Sequence, residues 1–287
     1  MFTNFETFDR DIAGVTIHGV TGGSGPPLLL LHGYPQTHVM WHKVAPELAK
    51  HFTLVIADLR GYGDSSKPPS DDTHAPYAKR AMALDMVGLM AGFGYDRYAV
   101  LAHDRGARVA HRMAVDHPDV IEKMVLLDIA PTREMYAKTT AEFATLYWHW
   151  FWLIQPAPFP ETQINAHPLF YLQKKLGSWG ASGPFAPEAM AAYHTAIQNP
   201  ETVHAMCEDY RAAATVDMEH DDEGGVIRCP IHVLWGANGV IEKCFDCLGL
   251  WRQRAEVVSG RALPGGHYLA EELPDLVAGE TLGFLRR

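Results

Sequence analysis

An aspartate between an apolar run and a helical stretch is the residue of this chain best placed for covalent chemistry. The segment YAVLAHDRGARVAHRMA, from Tyr98 to Ala114, reads as strand, sharp turn and helix, with Asp104 at the turn. Ala102 and Gly106 stand two residues either side of it, small as they must be where a tight turn lifts a nucleophile off the end of a strand. A carboxylate at that point lies over the N-terminus of the following helix, whose dipole favours its ionised form. Ionised, it can displace a leaving group from carbon and form an ester with the enzyme. Taken by itself, an Asp here is also a common helix N-cap, so the neighbouring motifs decide.

Three of them converge. HGYPQ, residues 32–36, follows an early strand, where a loop can supply a backbone N–H to an oxyanion hole; the donors expected are the N–H groups of Tyr34 and Arg105. His267 stands in LPGGHYLAEELP after the last strand, the place for a general base. The acid that orients it has two candidates, Asp128 at the end of MVLLD and Asp246, because the turn Trp235-Gly236-Ala237-Asn238-Gly239, where a carboxylate would be looked for, has none. Asp128 is assigned and Asp246 is the runner-up. Arg105 and Arg108, at i and i+3, share one face of the helix's first turn. Cations are unfavourable at a helix N-terminus, so the pair needs anionic company; Asp104 is one such group, and an Arg fork can grip a planar carboxylate at two points. Arg112 continues that side but faces Asp116 at i+4 and is left structural.

These residues need a scaffold, and the apolar runs provide one. Leu28–Leu31, Thr53–Ala57, Tyr98–Ala102, Met124–Leu127 and Ile231–Trp235 read as short strands, with helical patterns over 78–93, 105–117 and 271–287. Strands alternating with helices predict an α/β fold with a mostly parallel, doubly covered sheet. Between residues 131 and 225 aromatics cluster, as in YWHWFW, Pro is frequent and β-branched runs disappear, which predicts an inserted helical cap. The expected organisation is a core over 1–130, the cap over 131–225 and the rest of the core over 226–287.

Composition excludes other classes. A chain of 287 residues with a net charge of −10 and no basic run is not built for nucleic acid. The N-terminus lacks a basic segment followed by an apolar one, and the apolar runs are far too short to cross a bilayer. Four Cys, with one CxxC at Cys244 and Cys247, form neither a disulfide framework nor a paired zinc motif, so a reduced, cytoplasmic protein without a metal is expected. The negative charge would repel an anionic substrate at long range; if the substrate is an anion, local cations have to overcome that.

In these segments the chain resembles the fluoroacetate dehalogenases of the α/β-hydrolase superfamily. HGYPQ, RGYGDS, HDRGARVAHR, LLDIAPT, YWHWF, CEDYRA and GGHYLAEE look like that family's segments, in the same order. The resemblance implies an α/β-hydrolase fold and a triad of Asp104, Asp128 and His267. It implies that Arg105 and Arg108 bind the substrate carboxylate and that His149, Trp150 and Tyr210 hold the leaving halide. It also implies a small haloacid substrate, no metal or organic cofactor, and a homodimer. The related epoxide hydrolases and haloalkane dehalogenases typically carry Trp where this chain has Arg105, though Tyr147, Tyr193 and Tyr210 keep an epoxide reading open. A non-catalytic binding protein of the same fold is the alternative from another class. A serine esterase is disfavoured because Asp104 holds the nucleophile position.

Overall fold

The computed structural model describes residues 1–177 and 183–287. Its eight strands are β1 Glu6–Ile12, β2 Val15–Gly23, β3 Pro27–Leu31, β4 Thr53–Ala57, β5 Tyr98–His103, β6 Ile121–Leu127, β7 Ile231–Gly236 and β8 Val258–Leu263. They form one sheet in the order β1-β2-β4-β3-β5-β6-β7-β8. From β4 to β8 all neighbours are parallel, and β1 and β2 add an antiparallel edge. β5 is buried at all six positions. A strand covered by helices on both faces has no polar side to show, which is why the central strands read as unbroken apolar runs.

The five expected strands are present, and three more were not foreseen. β1 and β8 lie at the two edges of the sheet. Their sequences, ETFDRDI and VSGRAL, mix polar with apolar positions because each edge faces water in part. The closing helix also differs from the expected 271–287. A short turn, Leu269–Glu272, ends at Leu273, and the helix proper is Pro274–Leu285. Proline disfavours helical backbone in the residue before it, and Leu273 accordingly has φ −135° and ψ 52°.

The topology brings the chemistry together. β3 lies between β4 and β5, so the connections leave it in opposite directions, the kind of switch point at which open α/β sheets bind ligands. Leu31 pairs with Ala102 and His103 with Leu127. The loop after β3, the turn at Asp104 and the residue after β6, Asp128, therefore emerge side by side. Gly236 pairs with Leu263, which places the loop bearing His267 beside them.

Between β6 and β7 the described residues form eight helices, from Thr132–Ala137 to Val216–Asp222, and no strand. Prolines in this stretch open helices: Pro168, Pro187 and Pro200 each stand at a first helical position, where the missing N–H costs nothing. Three of these helices reach the cleft: Trp148–Trp152, Pro168–Leu176 and Pro200–Ala214.

Candidate active site

Asp104 has φ +43°, left-handed backbone that a non-glycine residue adopts at a cost when a sharp turn requires it. The helix that follows, Asp104–Asp116, starts hard against β3: a side-chain carbon on Gly106 would lie 2.5 Å from the carbonyl oxygen of His32. Gly33 is equally confined, since a carbon there would stand 2.7 Å from the Asp104 Cβ. With both contacts cleared by glycine, the loop after β3 passes directly over the turn, and the backbone N–H of Tyr34 donates to Asp104 Oδ2 at 3.2 Å. The Arg105 N–H belongs to the first turn of the helix, whose N–H groups have no intrahelical acceptor.

His267 Nδ1 lies 2.5 Å from Asp128 Oδ2. The other oxygen of Asp128 accepts the backbone N–H of Gly236 at 2.9 Å, so the carboxylate-free turn after β7 still serves this site through its backbone. Asp246 is elsewhere: it caps the short helix Cys247–Trp251 by accepting from the Gly249 N–H at 3.0 Å. The His267 loop is braced from three sides. Glu272 accepts the N–H of Gly266 at 2.6 Å and that of Tyr268 at 2.8 Å, and the His103 Nε2 meets the carbonyl of His267 at 2.9 Å.

A cavity of about 340 Å³ opens onto Asp104 and His267, with Tyr34, Tyr147, His149, Lys175 and Tyr268 in its walls. Behind it the side chains are fully buried. Arg105 stacks on the Tyr210 ring, 4.3 Å to the centroid, and Arg108 on Trp150 at 4.7 Å. Tyr210 in turn packs against Tyr34, His149 and Trp150, with ring centroids 5.1, 5.7 and 6.3 Å away. In this cluster four buried nitrogens have no partner: Arg105 Nη1, Arg108 Nε, His149 Nδ1 and Trp150 Nε1. Buried polar atoms are rarely left so. Four such nitrogens in one cluster beside Asp104 leave donor capacity that no protein group uses.

The structure qualifies the reading of Arg105. Its charge is already matched by Asp209, which takes Nε at 2.9 Å and Nη2 at 2.6 Å, leaving Nη1 free. Asp209 was not foreseen, although it directly precedes Tyr210 in the CEDYRA segment. Arg108 has a different set of partners, donating to the Ala130 carbonyl at 3.1 Å and to Thr132 Oγ1 at 2.7 Å. Arg112 pairs with Asp116 at 2.5 Å. Tyr147 brings its hydroxyl within 3.5 Å of His267 Nδ1, whereas Tyr193 is engaged with Gln36 and Glu271.

The electrostatics set the protonation states. Burial works against the Asp104 carboxylate, but His267, Arg108, His103 and Arg105 together outweigh it and hold its pKa below the ordinary value. Burial would likewise strip the proton from His267, yet its bond to Asp128 and the charges of Asp128 and Asp104 raise its pKa. His149, desolvated and near Lys175, His267 and Arg105, is held neutral far below the usual imidazole range.

Outside this cleft, His18, His38 and Asp58 come within metal-ligand reach of one another. Asp58 is committed there to its own turn, accepting the His38 N–H at 2.7 Å, His38 Nδ1 at 3.0 Å and the Asp64 N–H at 3.0 Å. The CxxC cysteines are free thiols, and Cys247 donates to the Ile129 carbonyl.

A switch-point sheet with a left-handed aspartate at the strand-to-helix turn defines an α/β hydrolase. The chain belongs to the alpha/beta hydrolase fold family, whose model matches residues 26–241. Among particular proteins, it is 45% identical to a fluoroacetate dehalogenase of Burkholderia sp, over 99% of this chain and 95% of that one. It is 32% identical to a soluble epoxide hydrolase of Corynebacterium sp. (strain C12), over 99% and 98%. The crystal structure of ALR0039 from Nostoc sp PCC 7120 superposes with a TM-score of 0.97 at 54% identity, covering 99% of both chains.

Proposed function

We propose that the protein is a hydrolytic dehalogenase that converts small 2-haloacids, fluoroacetate and chloroacetate among them, to 2-hydroxyacids and halide. The observation that carries this reading is the set of four unpartnered buried nitrogens on Arg105, Arg108, His149 and Trp150, beside an aspartate held ionised. An anionic nucleophile next to a nest for anions suits a substrate that is itself an anion and releases another.

In the proposed reaction Arg108, with the free Nη1 of Arg105, grips the substrate carboxylate and sets the halogen-bearing carbon in line with Asp104. The oxygen free of the Tyr34 N–H, Oδ1, attacks that carbon as halide departs with the bonding pair, leaving an ester on Asp104. The Nε1–H of Trp150, the His149 ring N–H and the Tyr210 hydroxyl donate to the departing halide. His267, oriented by Asp128, then takes a proton from water, and the resulting hydroxide attacks the ester carbonyl carbon. The charge that develops falls on Oδ2, which already accepts the Tyr34 N–H at 3.2 Å. Collapse expels the 2-hydroxyacid, which takes its proton from His267 and carries an oxygen that belonged to Asp104. The chemistry calls for no metal or organic cofactor.

Residues 131–225 act in this reading as a cap that closes the cleft, and the chain pairs as a homodimer, which light scattering in solution tests. A reduced, cytoplasmic setting accords with four free thiols. The test of function is halide release, by ion-selective electrode, from fluoroacetate, chloroacetate and a neutral haloalkane. Release from the two acids and not from the haloalkane is expected. Turnover of the haloalkane, or of styrene oxide in preference to every haloacid, would refute the reading; in the latter case Tyr147 and Tyr210 would be the residues to activate the epoxide oxygen.

A further inference from the structure

The chain is acidic, with a net charge of −10, and its proposed substrate is an anion, so some cation must receive that anion at the mouth of the cleft. Two of the buried cations near the cleft are held in ion pairs. Arg105 is paired with Asp209, and Lys79 with Asp209 and Asp217. Arg108, bonded to the Ala130 carbonyl and Thr132, is assigned above to the carboxylate once it is bound. None of these three groups stands in the wall of the cavity that opens onto Asp104 and His267.

Lys175 is different. It projects from the helix Pro168–Leu176 into the wall of the 340 Å³ cavity that holds Asp104 and His267. Its ammonium lies 5.8 Å from the centre of the Tyr34 ring and 5.9 Å from that of Trp148. No carboxylate of the described residues is within ion-pair distance of it. Its position is fixed on two sides: the Tyr171 hydroxyl, one turn earlier on the same helix, bonds the Tyr34 hydroxyl, and the Tyr268 hydroxyl donates to the Lys175 carbonyl at 3.1 Å. The two core residues involved are the oxyanion-loop tyrosine and the neighbour of His267, so the helix is docked where the reaction happens. Burial pushes the Lys175 ammonium down to about 7 while the charge of Asp104 pulls it up. A second anion beside it would favour its charged form.

We infer that Lys175 is a specificity-determining residue, a cavity-wall cation with no carboxylate in ion-pair reach among the described residues, which draws the carboxylate of the substrate into the cavity and favours acids over neutral analogues. The inference rests on the haloacid reading above for the identity of the anion.

Two variants and two readouts test it. In Lys175→Gln, KM for fluoroacetate should rise about tenfold, the low end of what a focusing charge does for an oppositely charged ligand, with kcat within about twofold. Added salt should erode the difference between wild type and variant. Turnover of chloroacetamide, which has no carboxylate, should not change, and Lys175→Arg should restore the fluoroacetate KM. Equal losses on the acid and the amide, or no loss on either, would overturn the assignment. Calorimetric titration with glycolate separates this from the reading beneath it. If the wild-type protein releases no halide from any haloacid, the dehalogenase reading falls, while weaker glycolate binding by Lys175→Gln would still uphold Lys175 as the anion-receiving residue. Unchanged glycolate affinity would sink it.

Discussion

Asp209, on the helix Pro200–Ala214, grips Arg105 at two points, Oδ2 to Nε at 2.9 Å and Oδ1 to Nη2 at 2.6 Å, and neither side chain is exposed to solvent. Arg105 belongs to the core helix Asp104–Asp116, so this pair ties the helices between β6 and β7 to the turn that carries Asp104. Lys79 and the Tyr62 hydroxyl complete the coordination of the carboxylate.

Asp209→Asn should therefore be costly, since it keeps the shape but strands two buried cations. Breaking a buried ion pair by removing one partner typically costs about 3–5 kcal/mol, which urea unfolding would detect. The sign with pH follows from the same contacts. Burial raises the Asp209 pKa, but Arg105 and Lys79 overcome it and hold it well below the usual carboxylate range. The pair thus adds stability above the unfolded carboxylate pKa and loses it as pH falls through the folded value. Unfolding free energy of Asp209→Asn should fall less steeply in that acid window than that of the wild type. Parallel curves would mean the pair contributes little.

Trp150→Phe removes the Nε1–H, which has no partner in the resting protein, together with part of a fully buried ring that stacks on Arg108. Some stability should be lost with the ring volume, so activity is compared at a temperature where the variant is fully folded. A hydrogen bond to a charged group contributes about 1.5–3 kcal/mol, so defluorination should fall roughly tenfold to a hundredfold. Dechlorination should fall less, because chloride is the weaker acceptor and the better leaving group. Equal falls would make Trp150 a wall of the pocket rather than a donor to halide.

His267→Asn should let displacement proceed and stop hydrolysis. After treatment with chloroacetate, intact-mass and peptide mass spectrometry should find a carboxymethyl group on Asp104. If there is neither adduct nor halide, His267 is needed for the first step or for the fold.

The two steps should also part company with pH. Asp104, held below its ordinary pKa of 3.8, stays a nucleophile far into acid, whereas His267, raised above 6.5, is protonated and lost as a base much earlier. Rapid-quench experiments at mildly acidic pH should show a burst of halide followed by accumulated ester. Alkylation removes the Asp104 charge that helps raise the His267 pKa, so the acid limb for hydrolysis of the ester should lie below the pKa that His267 has in the free enzyme. Loss of the burst and of hydrolysis at the same pH would contradict this division of labour.

Much of this was legible in the sequence because the demands on the residues are local. A strand–turn–helix with Ala102 and Gly106 around Asp104 announces a tight turn, and unbroken apolar runs announce the covered strands. β1 and β8 gave no such signal, because an edge strand half in water need not alternate cleanly. The contact of Asp128 with His267 spans 139 residues and depends on strand order, so Asp246 could be set aside only once the sheet was in view. Asp209 and Lys175 were missed for the same reason. Each lies on a helix between β6 and β7, and only docking onto the core shows that one grips Arg105 while the other faces the cavity.

The ester on Asp104 is the centre of the account, and a single turnover in heavy-oxygen water examines it directly. With enzyme in excess over chloroacetate, attack of water on the Asp104 carbonyl should give glycolate with ordinary oxygen, and the label should appear on Asp104, where peptide mass spectrometry can find it. Glycolate labelled in that first turnover, with Asp104 unlabelled, would mean that water attacks the substrate carbon itself and that Asp104 is not the nucleophile.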